Sequence, residues 1–349
     1  MTTGEARRAT AEATRVQAVT TRLEPATCDE IDLRTSGSVA HAVVPAVGRD
    51  LWSGSELRLA FLLDGGRRAV GDSRPVPDWR AVGVHVRRRS PAMVEFRVGA
   101  APRGPAGADI DPRARDAPPP AAQLSQPEVE RAVAQTRRVL SLDCDGAAFA
   151  AVAGRDPVLD GLRRASPGTR PILFGSPYEA ACWAVVCQGL RTEQAVAMYA
   201  RLVTRYGRVV PVGGSSRAVV APPSELRAVS PTTRLSARKR ERLAVVAEAA
   251  ESGLLDGAAL RAMEPDEAVD LVGQLPGIGP LSAELVVARG AGHPDVFPAH
   301  DRVLAAATEE LYDEPLVDVV ERWRPYRSWA SFVIRLAALL RGVRPGVSR

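Results

Sequence analysis

The stretch that most restricts the fold is EPDEAVDLVGQLPGIGPLSAELVVARG, residues 264–290. Two helix-like segments flank LPGIG, and Pro265 opens the first of them. Gly277 and Gly279 offer backbone angles closed to other residues and leave room for another backbone to come close. Pro276 and Pro280 stiffen the turn, while Ile278 packs down and holds it. The second helix presents free N–H groups and the positive end of its dipole at the same spot, where a phosphate oxygen fits. The expectation is a helical hairpin over residues 265–289 that holds a phosphate backbone without reading base edges. An ordinary αα corner is the alternative reading of the glycines alone.

Composition is consistent with such a partner without requiring it. The chain has 349 residues, 46% of them apolar, enough for a sizeable core in two or three domains. Its net charge of +5 permits an anionic ligand. The basic residues are almost all arginine. Lys239 is the sole lysine, so a lysine Schiff base has one candidate besides the N-terminus. Cys28, Cys144, Cys182 and Cys187 show no metal-type spacing and read as reduced thiols, with Cys182 and Cys187 in helix core. No apolar run reaches the ~18 residues that span a membrane. The first 22 residues lack the apolar core of a signal peptide and read as a disordered tail, so a cytoplasmic location is expected.

Residues 23–101 differ in pattern from the rest of the chain. VGVHVRRRSPAMVEFRV alternates and breaks at Ser90-Pro91, and LRLAFLLDGGRRAV turns on Gly65-Gly66. These are signals of a small β-rich domain. Residues 102–123, rich in Pro and Gly, read as a linker. From 124 to 349 the period is helical: Ser176 and Pro177 start one helix, Gly207 closes another, Ser236 caps a third. The fold class is therefore α+β, a mostly α-helical body with a β-rich N-terminal domain.

With Asp301 added, the chain resembles the helix-hairpin-helix (HhH-GPD) DNA glycosylases, in particular the 3-methyladenine DNA glycosylase II branch. LPGIGPLSA (275–283) is similar to that branch's LPGIGPWTA. GHPDVFPAHD (292–301) is similar to its GDPDAFPAGD, which ends in the catalytic aspartate. ERWRPYRSWA (321–330) is similar to its RWRPWRSYA. The likeness runs from about Leu140 to Arg341 and implies a two-lobed body.

The resemblance implies an enzyme that flips a damaged base out of double-stranded DNA and hydrolyses its N-glycosidic bond. Asp301 would be the catalytic carboxylate, stabilising positive charge on the sugar and orienting water. Asp301 also reads as the N-cap of RVLAAATEELY. DNA contacts would come from Gly277, Ile278, Gly279, Leu281, Ser282 and Arg302, with Gln188, Gly189 and Leu190 around the wedge that fills the emptied stack. Lyase-competent relatives carry lysine where this chain has Leu281, so a monofunctional enzyme leaving an abasic site is expected. No cysteine cluster follows the hairpin, so no iron–sulfur cluster is expected. A structural monovalent cation on the carbonyls of Gly273, Leu275 and Ile278 is implied by position. A monomer associated with the nucleoid completes the expectation.

Departures from the branch concentrate in the base pocket. Its aromatics are replaced by Leu281, Leu285, Arg302 and Arg335. Tyr178, Trp183, Phe297 and Trp329 are candidates to line the pocket instead, with core packing as their other reading. Arg335 would repel a cationic base; it could hydrogen-bond a neutral lesion or point at phosphate. His300 either tunes Asp301 or faces solvent. Loss of the aromatics leaves a non-catalytic, damage-sensing DNA-binding protein as the second functional reading.

Overall fold

The computed structural model describes residues 17–22, 52–53, 56–64, 79–90, 93–101, 123–212, 215–227 and 235–341. Five strands, β1 (Gln17–Arg22), β2 (Trp52–Ser53), β3 (Glu56–Leu62), β4 (Ala81–Ser90) and β5 (Met93–Ala100), form one antiparallel sheet in the order β1-β5-β4-β3-β2. Alternation in β4 and β5 does what a half-buried strand requires. Val82, Val84, Val86, Val94, Phe96 and Val98 are all fully buried on one face. That face packs on α1 (Gln126–Val139) through Val129, Ala132 and Val133. A Glu128 carboxylate accepts the Ser125 N–H at 2.7 Å and sets where α1 begins.

One reading of this region changes. The segment Gln17–Arg22, assigned by sequence to the disordered tail, is a strand paired with β5 from Gln17↔Val98 to Arg22↔Met93. QAVTTR has no partner within reach along the chain, and only β5 supplies one. The turn expected at Gly65-Gly66 lies outside the described residues.

The helical body continues with α2 (Gly146–Ala153), α3 (Pro157–Ala165), α4 (Pro177–Cys187) and α5 (Thr192–Tyr206). The Glu179 N–H donates to Ser176 Oγ at 3.1 Å, so α4 starts where its cap residue stands. A strand pair unforeseen from sequence comes next, β6 (Arg208–Val212) with β7 (Ser215–Val219). Then come α6 (Pro223–Leu226), α7 (Ala237–Glu251), α8 (Gly257–Ala262), α9 (Pro265–Gly273) and α10 (Pro280–Leu285). The chain continues from α10 as a π-helical turn, Val286–Ala291, before α11 (Arg302–Leu311), α12 (Leu316–Glu321) and α13 (Arg327–Leu340).

These helices build two further cores. One gathers α4, α5, α7, α9, α10 and the π turn around Tyr178, Val185, Val246, Val272 and Val286. The other gathers α2, α3, α11, α12 and α13 around Phe149, Leu159, Leu304, Trp323 and Ile334. In the second, Asp156 accepts hydrogen bonds from Tyr312 Oη and Trp323 Nε1, both at 2.9 Å. The loop 292–301 crosses from the first core to the second, with Val296 packed in one and Phe297 against the other. Asp301 stands at its end. Among the described residues no helix is long and apolar enough to cross a membrane.

Candidate active site and nucleic-acid interface

The hairpin is α9, a turn over 274–279, and α10. The Ile278 N–H donates to Leu275 O at 2.9 Å, which closes the turn, and Ile278 is buried beneath it. Gly277 has φ +91°, and a Cβ there would stand 2.4 Å from the Arg242 Cδ. Both the backbone angle and the neighbour demand glycine. Gly279 differs from the sequence expectation. At φ −89° and ψ 175° it is ordinary extended backbone, and a Cβ there would meet no atom within 4 Å. Its value is the open space it leaves at the head of α10. Leu281, one turn position on, is 49% exposed.

The loop after α4 is braced to this turn. Gln188 Nε2 donates to Gly277 O at 2.6 Å, and Arg242 Nη1 donates to Gln188 Oε1. The Lys239 ammonium donates to Val186 O at 2.7 Å at the C-terminal end of α4. Burial, first, depresses the Lys239 pKa below its ordinary value. Gly189 is exposed at φ +69°, and Leu190 packs partly against the first core. Of the residues assigned to the wedge, then, Gln188 is tied at both ends of its amide and Leu190 is turned inward.

Asp301 is the N-cap of α11. Its Oδ1 accepts the N–H of Val303 at 3.0 Å and of Leu304 at 3.3 Å. Its Oδ2 accepts from Arg335 Nη1 on α13, and the carboxylate remains 17% exposed. A carboxylate has about four lone-pair sites. Three are taken here, which fixes the group and leaves one for a ligand. The capping and catalytic readings of Asp301 are thus compatible.

Two residues that sequence reasoning missed complete the surroundings. Glu284, buried on α10, accepts the His300 backbone N–H at 3.2 Å and contacts His300 Nδ1 at 2.7 Å. The hairpin's second helix therefore holds the residue immediately before Asp301, and His300, 57% exposed, is tethered rather than free in solvent. Arg289, on the π turn, lies with its Cζ 5.0 Å from the centroid of the Phe332 ring. Burial and the Arg335 charge lower its pKa to about 9, and Asp301 opposes them. Gly290 explains how the π turn fits. A Cβ there would come within 2.7 Å of Pro177 Cα, so the turn runs hard against α4.

The loop carrying Asp301 is held along its length. Asp295 accepts from Arg327 Nε at 2.9 Å and Arg324 Nη1 at 3.0 Å. His293 Nδ1 accepts the Asp295 N–H at 3.1 Å, and Nε2 lies 3.1 Å from Met263 O. That pattern requires the neutral ring with its proton on Nε2, and burial lowers the His293 pKa accordingly.

The proposed pocket aromatics sit in cores. Tyr178 is fully buried and its hydroxyl donates to Ala221 O at 2.7 Å. Trp183 packs edge-on to Tyr199 at 5.4 Å, and Phe297 edge-on to Trp323 at 6.3 Å. Trp329 stacks on Phe149 at 4.4 Å. Leu285 packs against the first core, while Arg302 is exposed. In place of stacking rings, Asp301 is paired with Arg335, and Arg289 lies within electrostatic reach of both. A cavity of about 230 Å³ elsewhere on α13 is lined by Phe149, Leu162, Trp329 and Leu336 among others, and not by Arg289, Arg335 or Asp301.

No family model matches the chain. Over 207 residues it is 34% identical to the probable bifunctional transcriptional activator/DNA repair enzyme AlkA of Mycobacterium tuberculosis, covering 57% of this chain and 41% of that protein. The chain thus spans less than half the length of that relative. Over 204 residues it is 25% identical to a DNA-3-methyladenine glycosylase of Bacillus subtilis, covering 55% of this chain and 67% of that one. The fold is similar to the 3-methyladenine DNA glycosylase of Archaeoglobus fulgidus, with a TM-score of 0.66 at 19% identity over 93% of this chain and all of the other. It is also similar to an 8-oxoguanine glycosylase/lyase of Clostridium acetobutylicum, with a TM-score of 0.54 at 13% identity over 80% of this chain and 89% of that one.

Proposed function

We propose that this chain, which belongs to the helix-hairpin-helix DNA glycosylase superfamily, is a monofunctional DNA glycosylase that removes a modified base and leaves an abasic site. One observation carries the reading. Glu284 on the hairpin grips His300, so the element suited to a phosphate and the carboxylate suited to a sugar cation move as one body. A nucleotide held by its backbone at Gly277–Gly279 is thereby presented to Asp301.

Breaking the glycosidic bond builds oxocarbenium character at C1′. Asp301, already fixed by two backbone N–H groups and Arg335, offsets that charge without having to reorganise. Its remaining lone pair can orient the attacking water and accept its proton. Leu281 cannot form a Schiff base, and the Lys239 ammonium is bound to Val186 O. Strand cleavage is therefore not part of the reaction. The carbonyls of Gly273, Leu275 and Ile278 are hard oxygen ligands of the kind a monovalent cation accepts. Leu275 O already takes the Ile278 N–H and keeps its second lone pair. An ion bound there would add positive charge facing a phosphate.

The second reading is a damage-sensing DNA-binding protein without catalysis, favoured by the closure of Asp301 Oδ2 on Arg335. Incubation with duplexes carrying alkylated, deaminated and oxidised bases, with alkaline cleavage afterwards, separates the two. Base release by the wild type that disappears in Asp301→Asn, with salt-sensitive duplex binding retained, supports the enzyme. Binding without release from any duplex supports the sensor. Absence of both leaves a structural helical module.

A further inference from the structure

We propose that Arg289 and Arg335 make this site selective for neutral modified bases that present a carbonyl oxygen, and against N-alkylated bases that carry a positive charge. The inference rests on the glycosylase reading above and concerns which base that site takes.

The first observation is the local charge. Arg335 and Arg289 contribute two guanidinium cations beside the single Asp301 carboxylate. The nearby Glu284 carboxylate is taken up by His300. An N-alkylated purine entering next to Asp301 would be a third cation in a partly desolvated place, where like charges repel strongly.

The second observation is unfilled hydrogen-bonding capacity. A guanidinium has five N–H donors. Among the described residues, Arg335 places only Nη1 on an acceptor, at Asp301 Oδ2. Arg289 places none; its guanidinium lies over the Phe332 ring instead. No unpaired nitrogen of either arginine is sealed from solvent, so these donors are open to an incoming oxygen, and Arg289 and Arg335 both lie where Asp301 is within electrostatic reach. A base carbonyl fits that demand. A phosphate would fit it too; the open space for a backbone is at Gly279, where an added Cβ would meet nothing within 4 Å, and the test below separates the two.

The chemistry agrees. When the C1′–N bond of a neutral base breaks, the electron pair goes to the base nitrogen and the base leaves as an anion. A guanidinium donating to its carbonyl takes up that charge while Asp301 offsets the sugar cation. Water adds to C1′, its proton passes to Asp301, and Asp301 then gives that proton up to the departed base anion, which restores the carboxylate. No reactant besides water is needed. A cationic base leaves already neutral and gains nothing from the arginines.

The test is single-turnover release from otherwise identical duplexes carrying 7-methylguanine, which is cationic, or hypoxanthine or 8-oxoguanine, which are neutral. We expect wild-type enzyme to release at least one neutral carbonyl base faster than 7-methylguanine by about tenfold or more. Arg289→Met should slow neutral-base release by about 10- to 100-fold, as for loss of a charged hydrogen-bond donor, and 7-methylguanine release by a much smaller factor; Arg335→Met, which also releases Asp301, should slow both, the neutral bases by the larger factor. The proposal is overturned if 7-methylguanine leaves as fast as the neutral bases. It is equally overturned if both variants slow every base alike, which would mark the arginines as phosphate contacts or struts. The wild-type ratio needs no variant to fold. Release of no base at all would sink the glycosylase reading itself, a result distinct from release with the opposite preference.

Discussion

Asp295 and Asp301 sit in one loop, six positions apart, and each is paired with an arginine from the C-terminal part of the chain. Asp295 is buried and meets Arg327 and Arg324 with both oxygens, and its own N–H is taken by His293. Asp301 is only partly buried, shares Oδ2 with Arg335 and retains accepting capacity. The first is a closed ion pair whose satisfaction makes it structural. The second is held just as firmly but left open on one side, which is what a preorganised electrostatic group needs. Burial and the number of donors, not residue type or partner, divide the two roles.

The comparison can be broken at either end. Asp295→Ala removes the partner of a buried guanidinium, and we expect a loss of about 3–5 kcal/mol in denaturant unfolding. If stability barely moves, the closed pair is not what holds the loop. Asp301→Asn should lower base release by about 10²- to 10³-fold. Asparagine caps helices as well as aspartate, so the unfolding free energy should change by less than about 1 kcal/mol. A large stability loss with unchanged turnover would assign Asp301 to structure alone.

Two smaller effects sharpen the picture. Gly277→Ala forces a side chain into a left-handed angle and against Arg242, at a cost of about 1–3 kcal/mol. Duplex binding should weaken equally for damaged and undamaged DNA, as measured by salt-dependent titration; a damage-specific loss would contradict a backbone grip. The smallest effect is at His293, whose pKa is lowered from 6.5 by burial. The folded protein disfavours its protonation, so its contribution is present above pH 6.5 and lost as pH falls through the folded value. His293→Gln should flatten stability against pH below 6.5, read by unfolding at a series of pH values.

Much of this molecule is local, and what is local could be read from the chain. Ser176 before Pro177 starts α4, Gly277 marks the left-handed turn, and Asp301 caps α11, because caps and turns are satisfied within a few residues. The β4–β5 alternation was readable for the same reason. Arg335 was visible as a departure, but only a base or a phosphate was foreseen as its partner; its pairing with the Asp301 carboxylate was not.

What tertiary structure alone decided has a common cause, which is partners far apart in sequence. Gln17–Arg22 becomes a strand only because β5 lies beside it. Arg289 reaches the neighbourhood of Asp301 because the π turn is pressed onto α4. Glu284 meets His300 sixteen positions on, across a loop whose path is set by Asp295 and Arg327. Tyr178, Trp183 and Trp329 went to the cores because their rings bury more apolar surface there than any open wall offers. The chain by itself determined that a rigid helical corner precedes a capped aspartate. Packing decided that two arginines, rather than aromatic rings, would stand beside it, since charge placement depends on which helices meet and no local pattern encodes that.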